Sequence, residues 1–575
     1  MNPLEQHQLA LSLNLPETIM ASRLAQWLST GGFQYPADED LFQINRENVS
    51  QQHQLLLKAW LLFHQNLLID AGIPAFKSAE IDQIEYQENG RLRITISLFS
   101  FIEFRNLFVN ALSQCFTFIL KMNATPYSLE AFDDLGKRVE QQLYQPLKKV
   151  SNAGLSNIPI LQYAYEHHIP MQYFGAGLYQ LGWGANAHWL KASSTEEDSA
   201  IGAKLSGYKH FSAQRLKSLG LPAAQNALVK TIEQAAEFAD EIGYPVVVKP
   251  EQGNRGEGVV KDITTVTQLK RAFEYSKSFN ELVLIEKQVT GSCYRFFVYK
   301  NDVIYINGNL PRKLVGNGEA NIAELIEADT RYQMTRKHWQ RDPTIPLDTE
   351  THDCLRDQNL TLQSVPEKHQ SIAIRKIGSM QWGTEDAPAV CDAHRDNIAL
   401  AIAAAKAMNL ATAGVDMIIE DVTRSWLEQT VIVNEINSSP MIGVSKASLD
   451  ALPKLMRLML PNQGRIPVTV FLGKEAAFDA ARKAQQAAIE NNIACYLTSH
   501  QTTLSPDQNS TPMTFETVSQ RVNALMQMPS VAALIIVVES DSVLEEKWPV
   551  DQIDELVVVD NVNQAVEDFF RSLCR

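Results

Sequence analysis

Lysine and arginine are scarce in this chain relative to its acids: 51 against 66, for a formal net charge of −15. With no basic run to offset that balance, a nucleic-acid groove is excluded, because phosphate backbones are held by a local surplus of cations. Cysteine is sparse too. Cys115, Cys293, Cys354, Cys391, Cys495 and Cys574 stand far apart with no CxxC pair, which excludes a zinc knuckle and a disulfide framework and fits reduced thiols in the cytoplasm. The start, MNPLEQHQLALSLNLPETIM, lacks a basic segment followed by an apolar one, and no apolar run approaches the ~18 residues a membrane span needs, so neither export nor membrane attachment is expected. No internal repeat or low-complexity tract appears.

What is present is ordinary globular material: 575 residues, 45% hydrophobic and 20% charged, enough for several domains with large cores. The expected fold class is a multidomain mixture of α/β and α+β. Residues 1–160 combine helical patterns (QQHQLLLKAWLLFHQNLLIDAG, LEAFDDLGKRVEQQLYQPLKKV) with the strand-like ITISLFSFIEF, an α+β domain. Over 161–462 short strands and helices alternate, with LKSLGLPAAQNALV and AAEFADEIGYPVVVKP each reading as a helix closed by glycine before an extended segment. Beyond the linker signals of MRLMLPNQGRIP, residues 463–575 form a small αβ domain, within which SHQTTLSPDQNSTPMT reads as a mobile surface loop.

The stretch KPEQGNRGEGV follows the strand-like YPVVV and sets Gly253, Asn254, Gly256 and Gly258 close behind Lys249. Such a loop brings backbone N–H groups onto a phosphate, but glycines serve bare turns equally well. Downstream, GVDMI ends a strand with Asp416, and VIVNEINSSP places Glu435 and Asn437 two apart. A period of two turns both to one face, so with Asp416 they offer two carboxylates and an amide oxygen to a hard cation such as magnesium. A solvent-facing stripe is the alternative. In VLIEKQV, Glu286, Lys287 and Val289 are either an adenine-contacting hinge or a solvated strand end.

The order of these elements resembles that of the ATP-grasp ligases. Across residues 155–460, the stretches NIPILQYAYEHHIPMQYFGAGLYQLGWGANAHWLKASSTEEDSAI, VGNGEANIAELIEADTR and LRDQNLTLQSVPEKHQSIAIRK look like the corresponding parts of cyanophycin synthetase and of the ligase half of bifunctional glutathione synthetases. The resemblance implies an ATP-grasp fold in which Lys209 and Lys249 hold ATP phosphates, the 253–258 loop closes over them, Glu286 to Val289 clamp adenine, Arg375 neutralises the transferred phosphoryl group, and Asp416, Glu435 and Asn437 bind Mg2+. It implies a carboxylate–amine ligase that forms an amide through an acyl phosphate on an amino acid or short peptide. A homo-oligomer, dimer or tetramer, is the expected assembly.

The chain departs from that family where substrate is expected. Asn309 stands at an arginine position with Arg312 displaced by three, Ile377 and Trp382 replace polar residues, and Cys293 replaces a ribose-contacting acid. In cyanophycin synthetase a Mur-ligase half with a GTNGKTT phosphate loop follows. Here the matching RIPVTVFLGKEAAFDAARK retains only Gly473 and Lys474 and adds the carboxylate of Glu475, so 463–575 reads as a degenerate, truncated Mur-like remnant without a nucleotide site, the alternative being an unrelated small αβ domain. The alternative to a ligase is an inactive ATP-binding or scaffold subunit of a cyanophycin-type ligase, motivated by Cys293 and Asn309.

Overall fold

The computed structural model describes the chain except residues 1–3, 32, 34, 35, 37–48, 87–90, 152, 153, 155, 254, 255, 309, 310, 337–340, 376, 377, 379–382, 384–389, 561 and 575. Asn254, Asn309, Ile377 and Trp382 therefore lie outside the described residues. The chain forms two compact units. One comprises Leu4–Ile160 and Lys191–Pro453; the other comprises Leu161–Leu190 and Lys454–Arg575.

In the first unit the leading α+β part is an antiparallel sheet of β1 (Glu5–Leu13), β2 (Glu80–Tyr86) and β3 (Leu92–Ser100), with β3 central. Helices α1 (Gln51–Asp70) and α2 (Arg105–Ala124) pack against each other, and the Trp60 indole N–H donates to the Leu112 carbonyl at 2.7 Å. Ser50 caps α1 by accepting from the His53 N–H.

Two antiparallel sheets follow. The first has the order β6–β5–β7–β4, from β4 (Asn226–Val229), β5 (Val246–Pro250), β6 (Val260–Ile263) and β7 (Val283–Lys287). Helix α3 (Lys209–Ser218) precedes it; α4 (Ile232–Ile242) and α5 (Val266–Lys277) cover one face, their starts capped by Thr231 and, in a reciprocal box with Gln268, by Thr265. Alternation assigns the faces: Val246, Val248, Val283 and Ile285 join Leu269 and Phe273 in the core, leaving Lys249 and Glu286 on the opposite face.

The second sheet has the order β9–β8–β10–β11, from β8 (Ser292–Tyr299), β9 (Asp302–Gly308), β10 (Thr412–Ile419) and β11 (Ile432–Ser438). Phe296, Val298, Val415, Met417 and Ile436 pack on Leu400, Ala401, Ala404 and Ala405 of α6 (Arg395–Ala407). Each large apolar side chain buried there contributes about 1.5–3 kcal/mol. Arg295, Asp416, Glu435 and Asn437 alternate with these core residues and point to the other face.

The second unit holds a five-stranded sheet in the order β14–β13–β15–β12–β16: β12 (Val468–Leu472), β13 (Cys495–Thr498), β14 (Thr503–Leu504), β15 (Ala533–Val538) and β16 (Glu555–Val558). All neighbours are parallel except β14, which runs antiparallel to β13. Helix α7 (Glu475–Glu490) follows β12 directly. The strands Met171–Gly175, Leu178–Leu181 and His188–Lys191 form a hairpin series whose Trp183 N–H donates to the Gly464 carbonyl and whose Gln180 amide donates to the Met526 carbonyl. Among the described residues no helix is long and apolar enough to cross a membrane.

Candidate functional site

The registers of β8, β10 and β11 bring three charged residues into one row. Arg295 lies opposite Asp416, and Asp416 lies opposite Glu435. Residues directly opposite in an antiparallel sheet project from the same face with Cβ atoms ~5 Å apart, so cation and acids must interact. Arg295 meets Asp416 with two parallel bonds, Nε to Oδ1 at 2.7 Å and Nη2 to Oδ2 at 2.6 Å. The Asn437 amide donates to Asp416 Oδ2 at 3.3 Å. Asp416, buried, is thus held from two sides, and its charge beside the guanidinium pushes Arg295 further up.

Glu435 is in a different state. Burial raises its carboxyl above the usual carboxylate range, with Lys209, Lys249 and Arg295 opposing the shift and Asp416 reinforcing it. A desolvated acid beside a second acid is an arrangement that added positive charge relieves. Two carboxylates and an amide on one sheet face suit a hard cation, although among the described residues no three His, Cys, Asp or Glu side chains cluster to hold a metal.

The two lysines come from the neighbouring elements. Lys249, on β5, pairs with Glu286 of β7 at 2.8 Å and donates to Asn434 Oδ1 of β11 at 3.2 Å. Lys209, at the start of α3, donates to the Gly253 carbonyl at 2.9 Å, and burial lowers its basicity while Glu435 opposes the change. The glycine loop is a built feature. Gly258 has φ +71°, and a Cβ there would come within 2.7 Å of Pro250 Cγ and 2.9 Å of Phe279 Cδ2, so only glycine fits. Gly253 and Gly256 also take positive φ, 148° and 76°. Beneath the loop the buried Glu251 accepts the His210 N–H through both oxygens.

Other residues singled out from the sequence have different surroundings. Lys287 alternates to the face opposite Glu286 and donates to the carbonyls of Gly243 and Tyr244 at 2.9 and 3.0 Å, anchoring the turn before β5. Val289 is half-buried just past β7. Arg375 is 3% exposed and pairs with both oxygens of Asp348, at 2.7 and 2.9 Å, and with Glu350 at 3.0 Å. Arg312 donates to the Pro343 carbonyl and pairs with Asp329. Sequence reasoning missed Arg295 and Asn434. The signal for Arg295 was available: it is a lone cation in SCYRFFVY, an otherwise largely apolar strand.

In the second unit a cavity of about 710 Å³ opens at the C-terminal ends of β12 and β15, lined by Gly473, Lys474, Glu475, Glu539, Asp541 and Asp560 among others. This is where parallel αβ sheets commonly bind nucleotides. Here the Lys474 backbone N–H donates to Asp560 Oδ2 at 3.0 Å, so one of the donors at the start of α7 is already answered by the chain's own carboxylate.

Comparison with known proteins adds to this geometry. Residues 209–294 match the model of the carbamoyl-phosphate synthase L chain ATP-binding domain. The chain is 27% identical to cyanophycin synthetase of Trichormus variabilis over 356 residues, 59% of this chain and 40% of that protein. It is also 27% identical to the glutathione biosynthesis bifunctional protein of Mannheimia succiniciproducens over 330 residues, 55% of this chain and 41% of that one. A crystal structure of a bifunctional glutathione synthetase from Pasteurella multocida aligns with TM-score 0.41 and 22% identity, over 62% of this chain and 53% of that one. The chain spans about 40% of the length of the curated relatives it matches. It is a multidomain αβ protein that resembles the ATP-grasp ligases, cyanophycin synthetase among them.

Proposed function

We propose that the protein is an ATP- and Mg2+-dependent carboxylate–amine ligase acting on an amino acid or short peptide. The observation that carries this reading is the row Arg295–Asp416–Glu435 on one sheet face, with Lys249 reaching the same strand through Asn434. In the proposed reaction a substrate carboxylate oxygen bonds to the γ-phosphorus of ATP and ADP departs. The amine then attacks the acyl carbon, phosphate leaves, and the amine proton is lost to solvent. Such chemistry is mostly positioning and charge neutralisation and needs no protein nucleophile.

The chain's residues divide this work. Lys209 and Lys249 supply fixed cations for ATP phosphates, and the 253–258 loop supplies backbone N–H groups. The β7 end, Glu286 to Val289, contacts adenine through its backbone, while Lys287 holds the preceding turn by its side chain. Asp416, Glu435 and Asn437 would hold Mg2+, which when bound offsets negative charge on the phosphates; the raised carboxyl of Glu435 fits such a demand. Arg375 is assigned to the phosphoryl group, with Asp348 and Glu350 fixing its direction. The proposed division of the chain is a leading domain over 1–160, the ligase over 161–462 and a Mur-like remnant over 463–575. The scatter of the six cysteines, with no CxxC pair, favours a cytoplasmic setting, and a homo-oligomer completes the reading.

The experiment is substrate-dependent ADP release screened against pairs of amino acids and dipeptides, with mass spectrometry of the product. Glu435→Ala and Asn437→Ala should abolish the release while the fold persists. Release that is undiminished in Glu435→Ala overturns the site; ATP binding without release for any pair favours the inactive scaffold subunit.

A further inference from the structure

The strand that carries the acids is not regular. Asp416 of β10 faces Glu435, whereas the next residue, Met417, faces Val433, so Asn434 is an extra residue with no partner across the ladder. An inserted residue of this kind bends its strand and re-aims a side chain that strict alternation would send to the opposite face. Alternation alone would turn Asn434 away from Glu435 and into the layer where Val433, Ile436 and α6 pack. Instead its Oδ1 accepts the Lys249 ammonium at 3.2 Å, from a different sheet 185 residues away in sequence.

Lys249 is 5% exposed, and the ion pair and hydrogen bond shown for its ammonium go to Glu286 on its own sheet and Asn434 on the other. Glu286 neutralises the charge but leaves its placement relative to the acid row to the single amide. We propose that Asn434 is a positioning residue. Its side chain, turned by the bulge, latches the Lys249 sheet to the strand bearing Glu435 and sets the spacing between the phosphate cation and the carboxylates. The proposal rests on the ligase reading above and adds a residue to it.

An acceptor is required at this place, and a carboxamide suits it better than an acid. A third carboxylate beside Asp416 and Glu435 would raise the cost of desolvated negative charge, whereas an amide accepts the hydrogen bond without it. The latch should act on ATP and not on the amine, which has no contact with Lys249 in the proposed reaction.

The test compares Asn434→Ala, Asn434→Gly and Asn434→Asp in the full chain, reading the Kd for a fluorescent ATP analogue, KM for ATP, KM for the amine, and the thermal midpoint. Loss of one hydrogen bond to a charged group predicts about tenfold weaker nucleotide binding in Asn434→Ala. Asn434→Gly, which keeps the backbone freedom a bulge needs, should be equally weak, with KM for the amine unchanged in both. Asn434→Asp, which restores an acceptor, should recover most of the binding, with the recovery greatest at high magnesium. Nucleotide affinity kept in Asn434→Gly but lost in Asn434→Ala would show that only the shape of the bulge matters, and affinity kept in both would show that the amide holds nothing; either overturns the proposal while leaving the ligase reading intact. Absence of nucleotide binding by the unaltered protein overturns both.

Discussion

Arg295 grips Asp416 through both arms of its guanidinium, at 2.7 and 2.6 Å, from the strand alongside. Side-chain exposure is 27% for the arginine and 4% for the aspartate, so the acid depends on this partner for its charge balance. Removing one member of a buried pair leaves the other uncompensated, typically at a cost of about 3–5 kcal/mol. Arg295→Met should therefore lower the thermal midpoint, and millimolar Mg2+ should restore more of it than it adds to the unaltered protein. The measurement is thermal unfolding of both proteins with and without Mg2+; equal increments would mean that the Asp416 site does not take the cation.

Lys249 and Lys261 lie on either side of the glycine loop, yet only the first is buried and paired with an acid. Lys249→Met should abolish ATP-dependent turnover. It should also destabilise the fold by about 3 kcal/mol, because Glu286 loses its counter-charge. Pairing the change with Glu286→Gln should recover stability and not turnover. Lys261→Met, at a solvated position, should change either property little. Equal loss of turnover in the two single variants would reduce the loop to a turn.

The face carrying the acids was legible in the sequence, since alternation in GVDM and EIN separates the core residues Val415, Met417 and Ile436 from Asp416, Glu435 and Asn437 without reference to any partner strand. Pairing was not legible. Arg295 and Asp416 are 121 residues apart, and only the hydrogen-bonded register of β8 and β10 makes them opposite. The bulge at Asn434 is a property of two strands together and leaves no local signature. A lysine's residue type announces charge and not direction, which is why Lys287 could not be seen to face Gly243. The polar SHQTTLSPDQNSTPMT, expected as a mobile loop, instead contributes the short strand β14. Thr503 is buried there, its hydroxyl 2.8 Å from that of Thr498, so a pair of threonines builds an edge that composition disguises.

His64, inside α1 and 1% exposed, has its pKa lowered by burial from the ordinary 6.5 to about 4. The sign follows from proton counting. Between those two values the unfolded chain takes up a proton that the folded chain refuses, so stability falls as pH drops through that window. The full difference corresponds to about 3 kcal/mol. His64→Leu should flatten the decline between about pH 6.5 and 4, as read by urea unfolding at a series of pH values. An unchanged decline would mean that other groups dominate the acid sensitivity.

The last prediction concerns the second unit, which should bind no nucleotide and leave the chain with one ATP site per protomer. A phosphate loop works because several N–H groups converge on an anion, with a hydroxyl nearby for magnesium. After β12 the Lys474 N–H is already taken by Asp560 at 3.0 Å. Gly473, at φ 140°, is so close that a Cβ would lie 2.8 Å from the same Asp560 oxygen. The cavity beyond carries Glu475, Asp479, Glu539, Asp541 and Asp560 against the single cation Lys474, a surface that repels a triphosphate. Removing the cap should not reverse this. Asp560→Ala should cost about 1 kcal/mol, as loss of a helix-capping carboxylate does, without creating affinity, because the remaining acids stay in place. Calorimetry with a non-hydrolysable ATP analogue should give a stoichiometry of one for the unaltered protein, for Asp560→Ala and for Lys474→Ala. A stoichiometry of two that falls to one in Lys474→Ala would show a working second site and would make a two-step polymerase the better account of the chain.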